Sequence, residues 1–510
     1  MKKNSLTTAI IAGVAGVAGL VSVAGAVNLN PDGLGQVLLY PYYTVNGGNS
    51  THISVVNTTN QVKAVKVRFL EALNSAEVLD FNLYLSPYDV WGAEIQADGT
   101  TGAKLHLTDT SCTVPTITSG QPFLDYEFTA HSPDALKAVG MPRVRQGHVE
   151  VIEMGVVVDP FLRAAATHIA GVPADCGELV AAWSGGGQWL VDPNDGVETP
   201  RGGLFGSAVI VSGEWGRTLS YNADAIDGFF TVAGDTLHRT PGDVLPALSD
   251  ANNGGGIATA RVFSNGSLYE IDYASGVADA VSAVLTSRYI YNEYFLNPAL
   301  GASSEWVVTF PTKRLHVFKN LATFRAPFIP PFGTTGSCHA YGVKYWDREE
   351  RTTTTGLVPS PPPPTVGFGL CYEANVVAFG QSLSATTATK ILSATPAFGA
   401  VGLTPFAFNE GWARMEFDDP NNAGYQYWLP APAGGDQALV GQPVTGFWAS
   451  ELVNTDVGGG VRQNYGVIHK HRVSRDCRVA TGLARGAAAG TGAISAPAAI
   501  PEATVACPSL

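Results

Sequence analysis

Residues 64–71 read AVKVRFLE and residues 77–85 read EVLDFNLYL. Val65, Val67 and Phe69 alternate with Lys66 and Arg68, while Leu79, Phe81, Leu83 and Leu85 alternate with Asp80, Asn82 and Tyr84. A period of two sends successive side chains to opposite faces, so each segment predicts a strand with one apolar face and one wet face. The pattern extends outward on both sides. Residues 37–45 are apolar and aromatic, Asn46-Gly47 is a hairpin turn signal, and a further strand follows over 51–57. Together the region 27–110 predicts an antiparallel β-sandwich of immunoglobulin-like size.

Further along, residues 111–335 read as a central α+β region. A strand pair is expected within 145–158. Asp159 is placed to cap a helix over 161–170, with Pro160 at its first position. A short helix is expected over 173–183, a strand over 204–211, and a helix over 275–288 capped by Ser275. Trp306 to Phe310 reads as a buried strand. Residues 336–480 form a C-terminal β region, expected to pack back on the first. In it Ala413, Met415 and Phe417 alternate with Trp412, Arg414 and Glu416, and 444–453 and 461–473 pattern as a hairpin. The prolines at 361–364 sit inside a long loop, and the Ala/Gly/Pro-rich tail 481–510 lies over the body. The fold class is mainly β with some α.

The first 26 residues carry Lys2 and Lys3, an apolar stretch from Leu6 to Val23, and Ala24-Gly25-Ala26. A charged start, an apolar middle and an A-x-A site make a secretory signal peptide, so the mature chain is expected to begin at Val27. The expected location is therefore outside the cytoplasm: cell surface, extracellular or periplasmic. No later run of about 18 apolar residues follows, so no transmembrane segment is expected after cleavage. Hydrophobic residues make up 45% of the chain, enough for extensive cores. The net charge of −13, with no Lys/Arg-rich run, argues against nucleic acid and anionic membrane as partners.

Six cysteines, Cys112, Cys176, Cys338, Cys371, Cys477 and Cys507, in an exported chain point to three disulfides. Their order favours neighbour pairing, Cys112–Cys176, Cys338–Cys371 and Cys477–Cys507. Each bridge then closes a loop of roughly 30 to 65 residues, worth about 3 to 4.5 kcal/mol in the chain-entropy picture. No C-x-x-C pair supports redox or zinc-ribbon chemistry.

No nucleophile elbow, metalloprotease helix, phosphate-binding loop, dinucleotide fingerprint, complete EF-hand loop or haem attachment site is present. His469 and His471 stand two apart in an expected strand, which would put both imidazoles on one face, within reach of a shared metal; a polar solvent face is the simpler reading. His148 and Glu150, with Glu153 near, repeat that spacing and again read more simply as a strand with a wet face. Asp192, Asn194, Asp195 and Glu198 place oxygen ligands around a glycine turn, a candidate for calcium, and Asp418, Asp419, Asn421 and Asn422 make a similar cluster. Such residues also make turns without an ion. No catalytic or cofactor-binding residue is assigned.

Aromatic clusters occur at Tyr40, Tyr42 and Tyr43; at Trp183 and Trp189; at Tyr289, Tyr291, Tyr294 and Phe295; and at Tyr425, Tyr427 and Trp428. Exposed rings of this kind stack on sugars or anchor partners; buried ones are core.

The segments Leu38-Leu39-Tyr40-Pro41-Tyr42-Tyr43, Ala64 to Asp89 and Trp306 to Pro311 resemble a group of exported proteobacterial proteins of uncharacterised function. That resemblance implies an exported β-rich protein and brings no catalytic or binding residues. The expected function is an exported structural or partner-binding protein that acts by self-association or adhesion, with itself or other envelope proteins as partner. The alternative is a secreted hydrolase or carbohydrate-binding protein acting on a polymer, polysaccharide or another, for which Glu214 beside Trp215 is one motivation.

Overall fold

The computed structural model describes residues 25–107, 109–129, 134–264, 266–318, 326–328, 332–352, 366–417, 428–430, 437–454 and 463–479. The polypeptide is mainly β, and two sandwiches account for most of it. The first uses β1 (Val37–Thr44), β2 (Asn49–Asn57), β3 (Val62–Glu71), β4 (Glu77–Leu85), β5 (Val90–Asp98), β6 (Gly102–Leu107), β7 (Cys112–Val114), β8 (Gln146–Val157), β9 (Leu204–Ser212), β10 (Arg217–Asn222) and β11 (Asp224–Asp227). One sheet runs β11-β1-β8-β3-β4-β7, with the two-residue strands Asn28–Leu29 and Val197–Glu198 added to it. The facing sheet runs β10-β9-β2-β5-β6, with Gln121–Pro122 at its end. Phe69, Phe81, Trp91, Ile95 and Tyr43 interdigitate between them.

Several local expectations change at this level. The sandwich does not end near residue 110, because β8 to β11 supply its central and edge strands. With 8 strands facing 6 it is larger than an immunoglobulin domain, which has seven to nine in all. Asn46-Gly47 makes a corner rather than a hairpin: Gly47 takes φ 59°, and the chain crosses from the sheet of β1 to the sheet of β2. The region 145–158 is one long strand, β8, hydrogen-bonded to β1 on one side and β3 on the other.

The face of β3, β4 and β8 expected to be wet is dry. Every residue of β3 and β8 is buried. On the opposite, apolar phase of the same strands Lys63 meets Glu153 at 2.6 Å; on the expected wet face Lys66 pairs with Asp80, and Arg68 bridges Glu77 at 2.7 Å and Glu150 at 2.8 Å. The segment around 236–250 crosses this face; Asp243 and Arg239 accept hydrogen bonds from Lys66 and Asn82 through their main-chain carbonyls. Paired charges can stay buried because each has its counter-ion within hydrogen-bond reach. His148 is held neutral on the same face, its pKa pushed down to about 3 mainly by burial. Burial also pushes Glu150 up, to about 7, against the pull of Arg68.

A helical layer covers the remainder of this sheet: α1 (Pro160–Ala166), α2 (Cys176–Ala182) and α3 (Gln188–Val191). The Asp159 side chain accepts from the main-chain N–H groups of Phe161 and Leu162, the expected cap. Asp175 caps α2 through the N–H of Gly177. Leu179 and Trp189 pack against Ile152 and Tyr84, and the Cys112–Cys176 disulfide ties α2 to β7.

After the hairpin of β12 (Ile257–Ser264) and β13 (Ser267–Ala274), α4 (Asp279–Leu285) is shorter than the expected 275–288. Its expected last turn instead pairs Thr286 and Ser287 with Pro443 and Gln442.

The second sandwich uses β14 (Tyr289–Phe295), β15 (Ser303–Thr309), β16 (His339–Asp347), β17 (Val366–Leu370), β18 (Ala374–Phe379), β19 (Ala400–Leu403), β20 (Glu410–Glu416), β21 (Thr445–Asn454), β22 (Gln463–Lys470) and β23 (Arg472–Ser474). Its sheets run β17-β16-β20-β14-β23 and β19-β18-β15-β21-β22. As expected, β21 and β22 form a hairpin, and this region packs back on the first sandwich. Thr309 donates to the carbonyl of Pro41 at 2.7 Å, Arg217 pairs with Glu451, and Val307, Val376 and Phe447 join the first core. The Cys338–Cys371 disulfide is formed. Cys477 lies in the strand Asp476–Val479, whereas Cys507, the polyproline run, the tail and the signal segment 1–24 fall outside the described residues.

Candidate functional site: an aromatic cleft between two sheets

A cleft of about 470 Å³ opens where the two sheets of the second sandwich diverge. Strand phase builds its walls. On one sheet, cross-strand register sets Trp448 opposite His469, Ser450 opposite Val467 and Leu452 opposite Tyr465. These positions are all two apart along β21 and β22, so they share a face. On the other sheet, β20 lies between β14 and β16, with Trp412 opposite Glu293 on one side and Trp346 on the other. The Trp346 and Trp412 rings stack at 4.1 Å with 14° between their planes.

Gly411 permits that approach. A Cβ there would stand 1.9 Å from the carbonyl oxygen of Trp346, and the residue has φ +154°. Any side chain would force β20 and β16 apart beside the stacked indoles.

The rings differ in what they offer. Trp448 is nearly buried and donates its indole N–H to Ser304 at 3.1 Å, so it forms fixed floor. Trp412 is 41% exposed and Tyr465 54% exposed, so their faces are open to solvent. Glu293, Asp347, Arg348, Glu350 and Glu410 also line the cleft. Arg348 pairs with Glu410 at 3.0 Å. Asp347 accepts from the main-chain N–H of Arg351 at 2.8 Å and from its guanidinium. Desolvation pushes the Asp347 carboxyl up, but those Arg351 bonds outweigh it and hold the group below the usual range. A carboxyl kept ionised accepts hydrogen bonds from hydroxyls; it is poorly suited to donate a proton as a general acid.

The candidates drawn from the sequence lie elsewhere or apart. His469 is exposed and stacks on Trp448 at 5.4 Å, whereas His471 is buried and bonds Val307 O at 2.9 Å. They do not share a face, because the strand breaks between them after Lys470. His148 and Glu150 belong to the buried ionic layer, whereas Glu153 lies on the other face of β8, buried against Lys63. The calcium candidates disperse. Asp192 accepts from the N–H of Asn194, Asn194 accepts from Thr236, and Glu198 pairs with Arg201 at 2.6 Å. Asp195 contributes its main-chain oxygen to Trp189. Among the described residues no group of three or more His, Cys, Asp or Glu is arranged to hold a metal ion. Asp418, Asp419, Asn421 and Asn422 fall outside the described residues, as do Tyr425 and Tyr427. Tyr40, Tyr42, Tyr43 and Trp189 are buried core. Glu214 sits exposed on the turn between β9 and β10, apart from the cleft.

The open indole had a readable signal: Trp412 occupies the polar phase of a strand whose other phase is Ala413, Met415 and Phe417. No family model, curated protein or solved structure matches the chain.

Proposed function

We propose that this chain is an exported protein of the cell surface or periplasm that binds a polymeric glycan in the Trp412 cleft. The observation that carries the reading is the open face of Trp412, backed by Trp346, over a cleft edged with carboxylates. Sugar rings present apolar C–H faces that stack on aromatic planes and hydroxyls that donate to carboxylates. Rigid rings lose little conformational freedom on binding, so preorganised stacking favours affinity. The two disulfides fit an exported location, since such bonds persist in oxidising compartments. The test is titration of soluble polysaccharides into the oxidised protein by calorimetry, with Trp412→Ala beside it. Binding that Trp412→Ala abolishes supports the reading; binding indifferent to Trp412, or no binding to any polymer, overturns it.

A second reading, self-association, is favoured by a different observation. Phe161, Ile169, Val172, Leu190 and Val191, all within one segment of 31 residues, are exposed on or beside the helical layer, and where such side chains form one patch they mark contact surfaces. Light-scattering mass with millimolar calcium and then with chelator tests it. Growth into large particles supports assembly, and reversal by the chelator makes it calcium-dependent; a calcium-indifferent monomer rules it out.

A further inference from the structure

Another cavity, of about 380 Å³, lies at the seam between the two sandwiches and shares no lining residue with the Trp412 cleft. Its size falls in the range of about 300–1,000 Å³ usual for small-molecule sites, which gather where domains meet. The first sandwich contributes the residues on either side of Asp224 and the strand Asn28–Leu29 with the turn after it. The second contributes the start of β21 and the segment 470–475, where the chain leaves β22 and crosses to β23 on the facing sheet. Gly446 makes that crossing possible. A Cβ there would stand 2.0 Å from the carbonyl oxygen of Val307 and 3.4 Å from the His471 ring, and the residue has φ +147°.

Most of the wall is apolar. Ala225, Leu285 and Ile290 are buried at its floor, and Val473 is exposed at its mouth. His471 adds no charge: its ring nitrogens face Val307 O and Asn292, and burial holds its pKa down at about 4. Asp224 is the one carboxylate among the lining residues, and it is already engaged, accepting from Thr445 through one oxygen and pairing with Lys470 through the other.

Arg475 has no such partner. Its Nη2 donates to Val284 O at 3.1 Å, its Nε is buried with no acceptor, and no ion pair reaches it among the described residues. Desolvation draws its pKa down and no carboxylate raises it again. Arg145, half-buried and likewise without a carboxylate, shows how such a group is normally satisfied: it donates to Asn46 and to the main-chain carbonyls of Val45, Gly99 and Gly102. The cavity thus carries two cations against one carboxylate, on a chain whose net charge is −13. Lys470 feels the second cation, its pKa drawn down first by desolvation and then by the charge of Arg475. A desolvated charge without a counter-ion is costly, and an anion entering the cavity would relieve it.

We propose that this cavity binds a small amphipathic carboxylate, its acid group on Arg475 and its apolar body against Leu29, Ile290 and Val444. The proposal does not rest on the glycan reading. A single negative charge balances the one cation left over, whereas a polyanion would set surplus charge against apolar walls. A planar carboxylate also matches the planar guanidinium, which donates along parallel N–H bonds.

The experiment titrates octanoate and phenylbutyrate into the full oxidised protein by calorimetry, each beside its primary alcohol, with inorganic phosphate as the bare anion. At least one carboxylate is expected to bind about tenfold tighter than its alcohol, and phosphate is expected not to bind. Arg475→Gln should bring acid and alcohol level, while Arg475→Lys should keep the preference for the acid in weakened form. Circular dichroism establishes that each variant is folded, and the comparison of acid, alcohol and phosphate on the native chain decides the matter even if a variant is not. No binding of either acid, equal affinity of acid and alcohol, phosphate bound as tightly as the acids, or a preference that survives Arg475→Gln overturns the proposal.

Discussion

Lys63 and Glu153 meet at 2.6 Å with both side chains at 0% exposure, 90 residues apart in the chain and on adjacent strands of one sheet. Glu153 also accepts from the main-chain N–H groups of Arg201 at 3.0 Å and Gly202 at 2.6 Å. The pair therefore fastens the approach to β9 to the centre of the first sandwich.

Removing one partner leaves the other charge buried without compensation. Lys63→Met is expected to cost about 3–5 kcal/mol in unfolding free energy, read from urea midpoints. The double variant Lys63→Met with Glu153→Gln should recover part of that loss. Equal losses in the single and double variants would mean that the ion pair is not the source of the effect.

His148 supplies a pH dependence. Burial pulls its pKa down to about 3, and neither ring nitrogen has a hydrogen-bond partner. In the unfolded chain a histidine titrates near 6.5. As pH falls below that value the unfolded state gains a proton that the folded state refuses, so stability is lost between about pH 6.5 and 3. His148→Leu should therefore gain on the native chain by about 1.4 kcal/mol per unit of pH below 6.5. Urea titrations of both at pH 7 and pH 5 check this; a constant difference between them would refute it.

The two tryptophans of the second sandwich should behave differently. Trp306 is fully buried, and Trp306→Ala is expected to cost about 3–5 kcal/mol through the cavity it leaves. Trp412 is 41% exposed at the cleft mouth, so Trp412→Ala should cost less than about 1.5 kcal/mol while removing glycan binding. Thermal unfolding of both variants, beside the calorimetric titration, distinguishes a binding ring from a core ring.

The Cys112–Cys176 bridge spans 64 residues and anchors the helical layer. Replacing both cysteines with alanine is expected to cost about 2–5 kcal/mol. Proteolysis should then cut first within 160–191, because α1 to α3 are short and depend on tertiary packing. Hydrogen exchange that loosens elsewhere first would contradict this.

What the sequence alone determined is local. Alternation in AVKVRFLE and EVLDFNLYL placed β3 and β4, because a strand's period of two is a property of its own backbone. The start of α1 at Pro160 was legible because Asp159 reaches N–H groups only two and three residues away. Neighbouring cysteines paired as their order suggested in the two bridges described. Tertiary structure decided which polar faces meet water. Lys66 and Arg68 look solvated in sequence, since their counter-ions and the segment across them lie up to 177 residues away. It also decided that Asn46-Gly47 turns between sheets, because strand partners are chosen by the whole core and not by the turn. The cleft belongs to the same class. Trp412 could be read as an exposed ring, but its place against Trp346, Trp448 and Tyr465 depends on the register of five strands in two sheets, which no local pattern encodes.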